Sequence, residues 1–352
     1  EYRTTPVNKP VTLGNKCIVV MQRITMATAP ASSGLTLDWE ILSPSGPAIA
    51  FHTSCIIKNQ LYVHGGVIKY GSNVPSDKLY KLDLTSLIWS EVQAAGSPSL
   101  SHHACVSLDN RYMLLIGGWD GRVRTCQVHV YDASKDLWIH PTVQGFPDGA
   151  GLSSHTALLF SSGEIMIVGR EGSLRTQRKH GSAYTLTGSV EKGLFTYSPH
   201  TSGTASRSGH TSNIVGSTLF IVGGRDDRLV EMHSGYQGVC LHGKITEKFS
   251  DIALQLKPLS KLPCGRKNHI AVSGSDALFI HGGETFDGRS REPVGEMYII
   301  TSKPKINFYK IGNSKVGRAG HSCANTGDRV IIHGGIGMGN RVYGDSYELK
   351  IK

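Results

Sequence analysis

The stretch HTSCIIKNQLYVHGG, residues 52–66, decides how this chain is read. It holds two short runs, HTSCII at 52–57 and LYV at 61–63, both rich in β-branched or aromatic residues and bounded by turn residues. That pattern favours strands over helix. The same unit, a histidine followed about a dozen residues later by an apolar run ending in glycines, recurs along the chain. The glycine sites are Gly65-Gly66, Gly117-Gly118, Gly169-Arg170, Gly223-Gly224, Gly282-Gly283 and Gly334-Gly335, and their first members are spaced by 52, 52, 54, 59 and 52 residues. The histidines ahead of them, His52, His103, His155, His210, His269 and His321, keep the same beat. A period near fifty built from short strands is the mark of radial repetition around an axis.

Each repeat reads as four strands. A third follows the glycines after a loop, as KLYKLDL (78–84), VHVYDA (128–133), SAYTL (182–186), EMYIIT (296–301) and SYELKI (346–351). A fourth carries an aromatic: Trp89, Trp138, Phe195 and Phe308. The fourth repeat fits least well; its third strand is predicted at GVCLHG (238–243), with Leu254 or Leu256 in place of the aromatic. The sixth lacks its aromatic strand, and residues 36–42, TLDWEIL with Trp39, have that pattern at the other end of the chain. The prediction is an all-β, six-bladed propeller, closed by pairing residues 36–42 with residues 344–352, which removes the open edges of an unclosed ring. Residues 1–34 fall outside the repeats and are expected to form a flexible arm, leaving 35–352 as the propeller. The chain begins at Glu1, which suits a processed form, a fragment, or a translation reaching upstream of Met21 or Met26.

The glycine pairs, the downstream aromatics and the ring of six resemble the kelch repeat family. The resemblance covers roughly residues 36–352. It implies a protein-interaction role rather than catalysis, with an A-type cyclin as a suggested partner and a cell-cycle or ciliary complex as a setting. Some kelch proteins are substrate receptors of cullin-type ubiquitin ligases, the alternative role. That role needs an adaptor-binding segment, which 34 leading residues and a chain stopping inside the last blade do not supply, so the plain interaction module leads.

Composition agrees with a globular unit: 42 glycines and 39% hydrophobic residues suit half-buried strands joined by tight turns. The longest uninterrupted apolar runs are about five residues, as at 17–21, against the roughly 20 that a spanning helix needs, and the start does not read as a signal peptide. Seven cysteines without a C-x-x-C pair are read as free, mostly buried thiols of a reducing compartment, the cytoplasm, with nucleus or cilium as alternatives. Six histidines at equivalent positions are spread around a ring, each packing its own blade, so no metal and no cofactor are expected. Neither a nucleophile elbow nor a phosphate loop is present, and the chain is read as non-enzymatic.

The net charge of +10 is placed unevenly. Three residues before the repeat histidine, blades four to six carry Arg207, Arg266 and Arg318, where blades one to three have Ile49, Leu100 and Leu152. The family often has arginine here, and in one kelch receptor arginines at matching sites hold an acidic peptide. The three are therefore expected to form an arc at the channel mouth that takes an acidic protein segment, since guanidinium forks suit carboxylates. The bland alternative is that each pairs with a neighbouring blade's carboxylate. Arg175, Arg178 and Lys179, in the loop after Gly169-Arg170, form the second contact candidate. Nucleic acid ranks low, because no aromatic-rich motif and no run of five like charges accompanies the arginines. Acidic protein surfaces, including those of a cytoskeletal or axonemal complex, explain the charge with fewer assumptions.

Overall fold

In the computed structural model, which describes residues 34–169, 182–200, 204, 207–224, 229–239, 241–285, 292–303 and 305–352, six blades surround one axis. The expected arm and the basic loop with Arg175, Arg178 and Lys179 lie outside the described residues. Blade one runs outward through Thr53–Ile57, Gln60–His64, Leu79–Asp83 and Trp89–Glu91, all antiparallel. Blades two, three and five repeat this order, and blade three gains a short parallel strand, Thr142–Gln144, outside its fourth. The innermost strand of each blade neighbours that of the next around the full circle.

Closure is as the sequence predicts. Leu37–Ser43 pairs antiparallel with Ser346–Ile351, setting Trp39 opposite Leu349, and Thr36 and Lys352 exchange backbone bonds of 2.8 and 2.9 Å. Trp39 is buried, edge-on to Phe279 and tilted against His281. The aromatic of each fourth strand thus covers the seam towards the preceding blade: Trp138 meets His64, and Trp89 meets His333.

Blade four departs from the prediction. Its third strand is Val230–Ser234, not 238–243, and among the described residues no fourth strand follows. The chain instead turns into a helix, Phe249–Leu254, which buries Phe249, Ile252 and Ala253. Their spacing of three and four puts them on one face. Phe249 stacks on Phe279 of blade five, while Leu254, expected to replace the aromatic, is 82% exposed. Leu256 is partly buried against that same core.

Candidate partner-binding face

The histidines and glycine pairs lie at one end of the strands, and two circuits of backbone bonds fasten the blades there. The residue before each histidine, Phe51, His102, Ser154, Gly209, Asn268 or Gly320, has φ between 54° and 72°. Its N–H donates to the carbonyl of its counterpart one blade back, from His102 to Phe51 (2.9 Å) around to Phe51 on Gly320 (2.8 Å), so six bonds close a ring at the channel mouth. In the second circuit the latter glycine of each pair donates to the residue three before the next histidine: Gly66 to Leu100 (2.8 Å), Gly118 to Leu152 (2.9 Å), Gly224 to Arg266 (2.7 Å), Gly283 to Arg318 (2.7 Å) and Gly335 to Ile49 (2.8 Å). A side chain could not replace Gly65: its φ is +72°, and a Cβ would strike the Leu100 carbonyl and the His103 ring.

The repeat histidines line a central cavity of about 160 Å³ at this mouth. The sequence assigned each to its own blade, but the rings fasten one blade to another. His103 Nε2 is 2.9 Å from Thr53 Oγ1, His210 Nε2 3.1 Å from Thr156, His269 Nε2 3.1 Å from Thr211 and His52 Nε2 2.8 Å from Ser322. His321, facing Ile270 instead of a hydroxyl, takes His281 Nδ1 at 3.3 Å. Burial holds these imidazoles neutral, lowering His155 to about 4 and His210 to about 3.

The three arginines are not at the solvent-facing surface expected of them. Arg207, Arg266 and Arg318 are among the most buried polar residues of the chain, at 1%, 1% and 3% exposure. In the described bonds each spans its own blade. Arg266 donates to Gly282 O (3.0 Å) and Glu296 Oε2 (2.9 Å) and lies over the Tyr298 ring. Arg318 reaches Gly334 O (2.9 Å) and pairs with Asp345 (2.7 Å) over Tyr343 and Tyr347; Arg207 reaches Gly223 O (2.7 Å) and Glu231 (3.2 Å). Burial opposes the charge on Glu296, but its bonds to Arg266 and Lys310 outweigh that and hold the carboxyl below its usual range. The guanidinium forks bind acids as the chemistry predicts; the acids belong to the same chain.

Among the described residues, what this face offers to solvent lies in blades six, one and two. Ile68, Tyr70, Val74, Val123 and Met338, exposed between 45% and 72%, all sit in loops that follow the glycine pairs of blades one, two and six. The loops touch: Trp119 Nε1 donates to Asn73 O (2.7 Å), and Gly121 packs beside Pro75. Beneath them Ala50, Val67 and Ile336 are buried together, with Phe51 and Val342 packed against them. Lys69, Arg122 and Arg341 are exposed in the same loops. Asp120, itself exposed, accepts the backbone N–H groups of Arg122 (2.7 Å) and Val123 (2.8 Å), fixing the tip. Sequence reading missed this patch. Its signal was the apolar residues between glycine pair and third strand, where a solvated loop needs none.

Of the seven cysteines, five are described, all as free thiols. Contact with Cys105 and burial push Cys55 up, and burial pushes Cys323 up to about 12; Cys264 alone is exposed. No helix among the described residues is long and apolar enough to cross a membrane.

Residues 33–224 match the KLHDC2/KLHL20/DRC7 Kelch-repeats domain. The chain is 30% identical to human kelch domain-containing protein 9, over 84% of this chain and 89% of that protein. It is 25% identical to human kelch domain-containing protein 3, over 85% and 80%. Among solved structures, that of YjhT superposes with a TM-score of 0.65 at 14% identity, covering 88% of this chain and 99% of that one.

Proposed function

This chain belongs to the kelch-repeat propeller family, whose members are typically protein-interaction modules, and from that premise we propose that it is a non-enzymatic module whose glycine-end face holds an acidic partner segment. The observation that carries the reading is the cluster of exposed apolar side chains on touching loops of blades six, one and two, edged by Lys69, Arg122 and Arg341. Exposed apolar surface edged by three cations, with Asp77 and Asp120 the exposed acids of the same loops, fits a segment that mixes apolar and acidic residues. Arg207, Arg266 and Arg318 enter as struts that hold the loop ends of blades four to six, and the loop with Arg175, Arg178 and Lys179 is a second contact. An A-type cyclin or an axonemal complex, in the cytoplasm or a cilium, is the kind of partner that the family resemblance suggests.

Quantitative affinity purification of the tagged chain tests this. The variant Arg122→Glu/Val123→Ser/Arg341→Glu should lose its main partner at least tenfold while melting like the wild type, since all three positions are exposed. Arg175→Glu/Arg178→Glu/Lys179→Glu should weaken it less. Unchanged recovery with the first variant would refute the face.

A further inference from the structure

At the opposite end of the strands, between blades four and five, lies a cleft of about 340 Å³. It sits inside the size range of ligand-holding clefts. Its walls include Val215 and Thr218 of blade four, Asp276, Thr301 and Lys303 of blade five, and Leu254 of the inserted helix. The cleft lies at the one seam where the repeat is broken. Blade four ends at Val230–Ser234, and the chain that would have formed its fourth strand leaves to cover blade five.

Two features distinguish this place from an ordinary groove. The helix buries its other apolar residues, yet Leu254 stands 82% exposed on the cleft wall, and the following chain exposes Leu259 at 38% and Leu262 at 70%. Thr301 keeps its hydroxyl out of solvent with no hydrogen-bond partner among the described residues. Charge supplies the third point: Lys303 is in the wall, and Lys257 and Lys261 follow the helix, all exposed. Lys248 and Asp251 pair with each other at 2.9 Å, which leaves Asp276 in the wall and Glu247 before the helix as the acids set against them.

We propose that this cleft is a second docking site, separate from the glycine-end face, for a protein segment in which a leucine-sized apolar residue is flanked by aspartates or glutamates. The apolar residue packs on Leu254 within the cleft, and the acids meet Lys303 in its wall and Lys257 and Lys261 on the chain after the helix. With two sites at opposite ends of its strands, the propeller can hold two partners at once.

The probe is a random dodecapeptide display library panned on the full chain, with selected peptides then measured by fluorescence anisotropy. The expected outcome is a class with one Leu, Met or Phe among acidic residues, whose affinity falls at least tenfold in Leu254→Glu and in Lys303→Glu. The same class should be unaffected by the glycine-end variant Arg122→Glu/Val123→Ser/Arg341→Glu. Both cleft substitutions fall at exposed positions, and unchanged melting would confirm the fold. If no selected class responds to Leu254→Glu, or every class is lost in the glycine-end variant, the second site is wrong. The latter result would leave the face reading standing, and loss of the partner-binding effect at the face alone would leave the cleft standing.

Discussion

Three residues before each repeat histidine the two halves of the ring solve one problem in two ways. Blades one to three place Ile49, Leu100 and Leu152 there, and blades four to six place Arg207, Arg266 and Arg318; all six side chains are buried. The backbone does the same work in both halves. In five of the six blades its carbonyl accepts the glycine N–H of the preceding blade, and the sixth donor, at Arg170, lies outside the described residues. A leucine fills the space by apolar contact alone. An arginine can fill it only when its fork is fully used, and in blades five and six a glycine carbonyl, a carboxylate and a tyrosine face each take a share. Each of these cations is matched by an acid of the same chain, so the pairs leave the net charge of +10 unchanged and only withdraw the three arginines from the surface.

The hardest blow to this comparison is to move one solution into the other half. Leu100→Arg buries a guanidinium in blade two, where the position matching Glu296 is Gln127. An unpaired buried charge costs on the order of 4 kcal/mol or more. A large drop in melting temperature is expected, and Leu100→Arg/Gln127→Glu should recover part of it. A single variant that melts like the wild type would show that blade two already contains a partner for the charge.

A smaller effect comes from the reverse exchange. Arg266→Leu removes a cation from Glu296, which stays partly solvated and keeps Lys310 at 3.1 Å, so the loss should be about 2 to 3 kcal/mol, below that of a fully buried pair. Arg266→Leu/Glu296→Leu should regain most of it, since replacing both partners by apolar groups is often near neutral. If the double variant is no better than the single, the arginine serves through the Gly282 carbonyl and not through the acid.

These pairs also mark how far sequence reading reaches. The blades and their closure were legible because strand period, glycine pairs and the aromatic position leave few alternatives, and the pairing of residues 36–42 with 344–352 followed from that pattern; the register that sets Trp39 opposite Leu349 did not. The arginines were legible as a set, but their burial was not, because it depends on where a carboxylate arrives thirty residues later. The companion signal was there: Glu296 and Asp345 stand at the start of the third strand in blades five and six, where blades one to three have Lys78, Gln127 and Ser182. Blade four was misread because 238–243 looked more apolar than Val230–Ser234, whose Glu231 and His233 face no fourth strand. Phe249, Ile252 and Ala253, at helical spacing, were the overlooked cue. The residues before the histidines share no chemistry that announces φ > 0; only Gly209, Asn268 and Gly320 hint at it, and the ring of bonds imposes it on Phe51 and His102.

The finest test uses an element that both halves share. In four of the six seams the histidine finds a hydroxyl one residue after the preceding blade's histidine, at Thr53, Thr156, Thr211 or Ser322. Blade five has Ile270 there, and His321 turns to His281. Blade two has Ala104, so His155 finds no hydroxyl there; its ring has only the Ile116 carbonyl beside it and no hydrogen bond of good geometry among the described residues. An unmet buried polar group is a standing cost, so supplying its partner should stabilise the ring. Ala104→Ser adds one oxygen at the matching position and should gain about 1 kcal/mol, a typical hydrogen-bond increment. The gain should vanish when His155 is replaced by Leu, because the hydroxyl then has nothing to bind. A rise in melting temperature that survives His155→Leu would mean that the serine stabilises by some other contact, and that the hydroxyl-to-imidazole links are not what fastens one blade to the next.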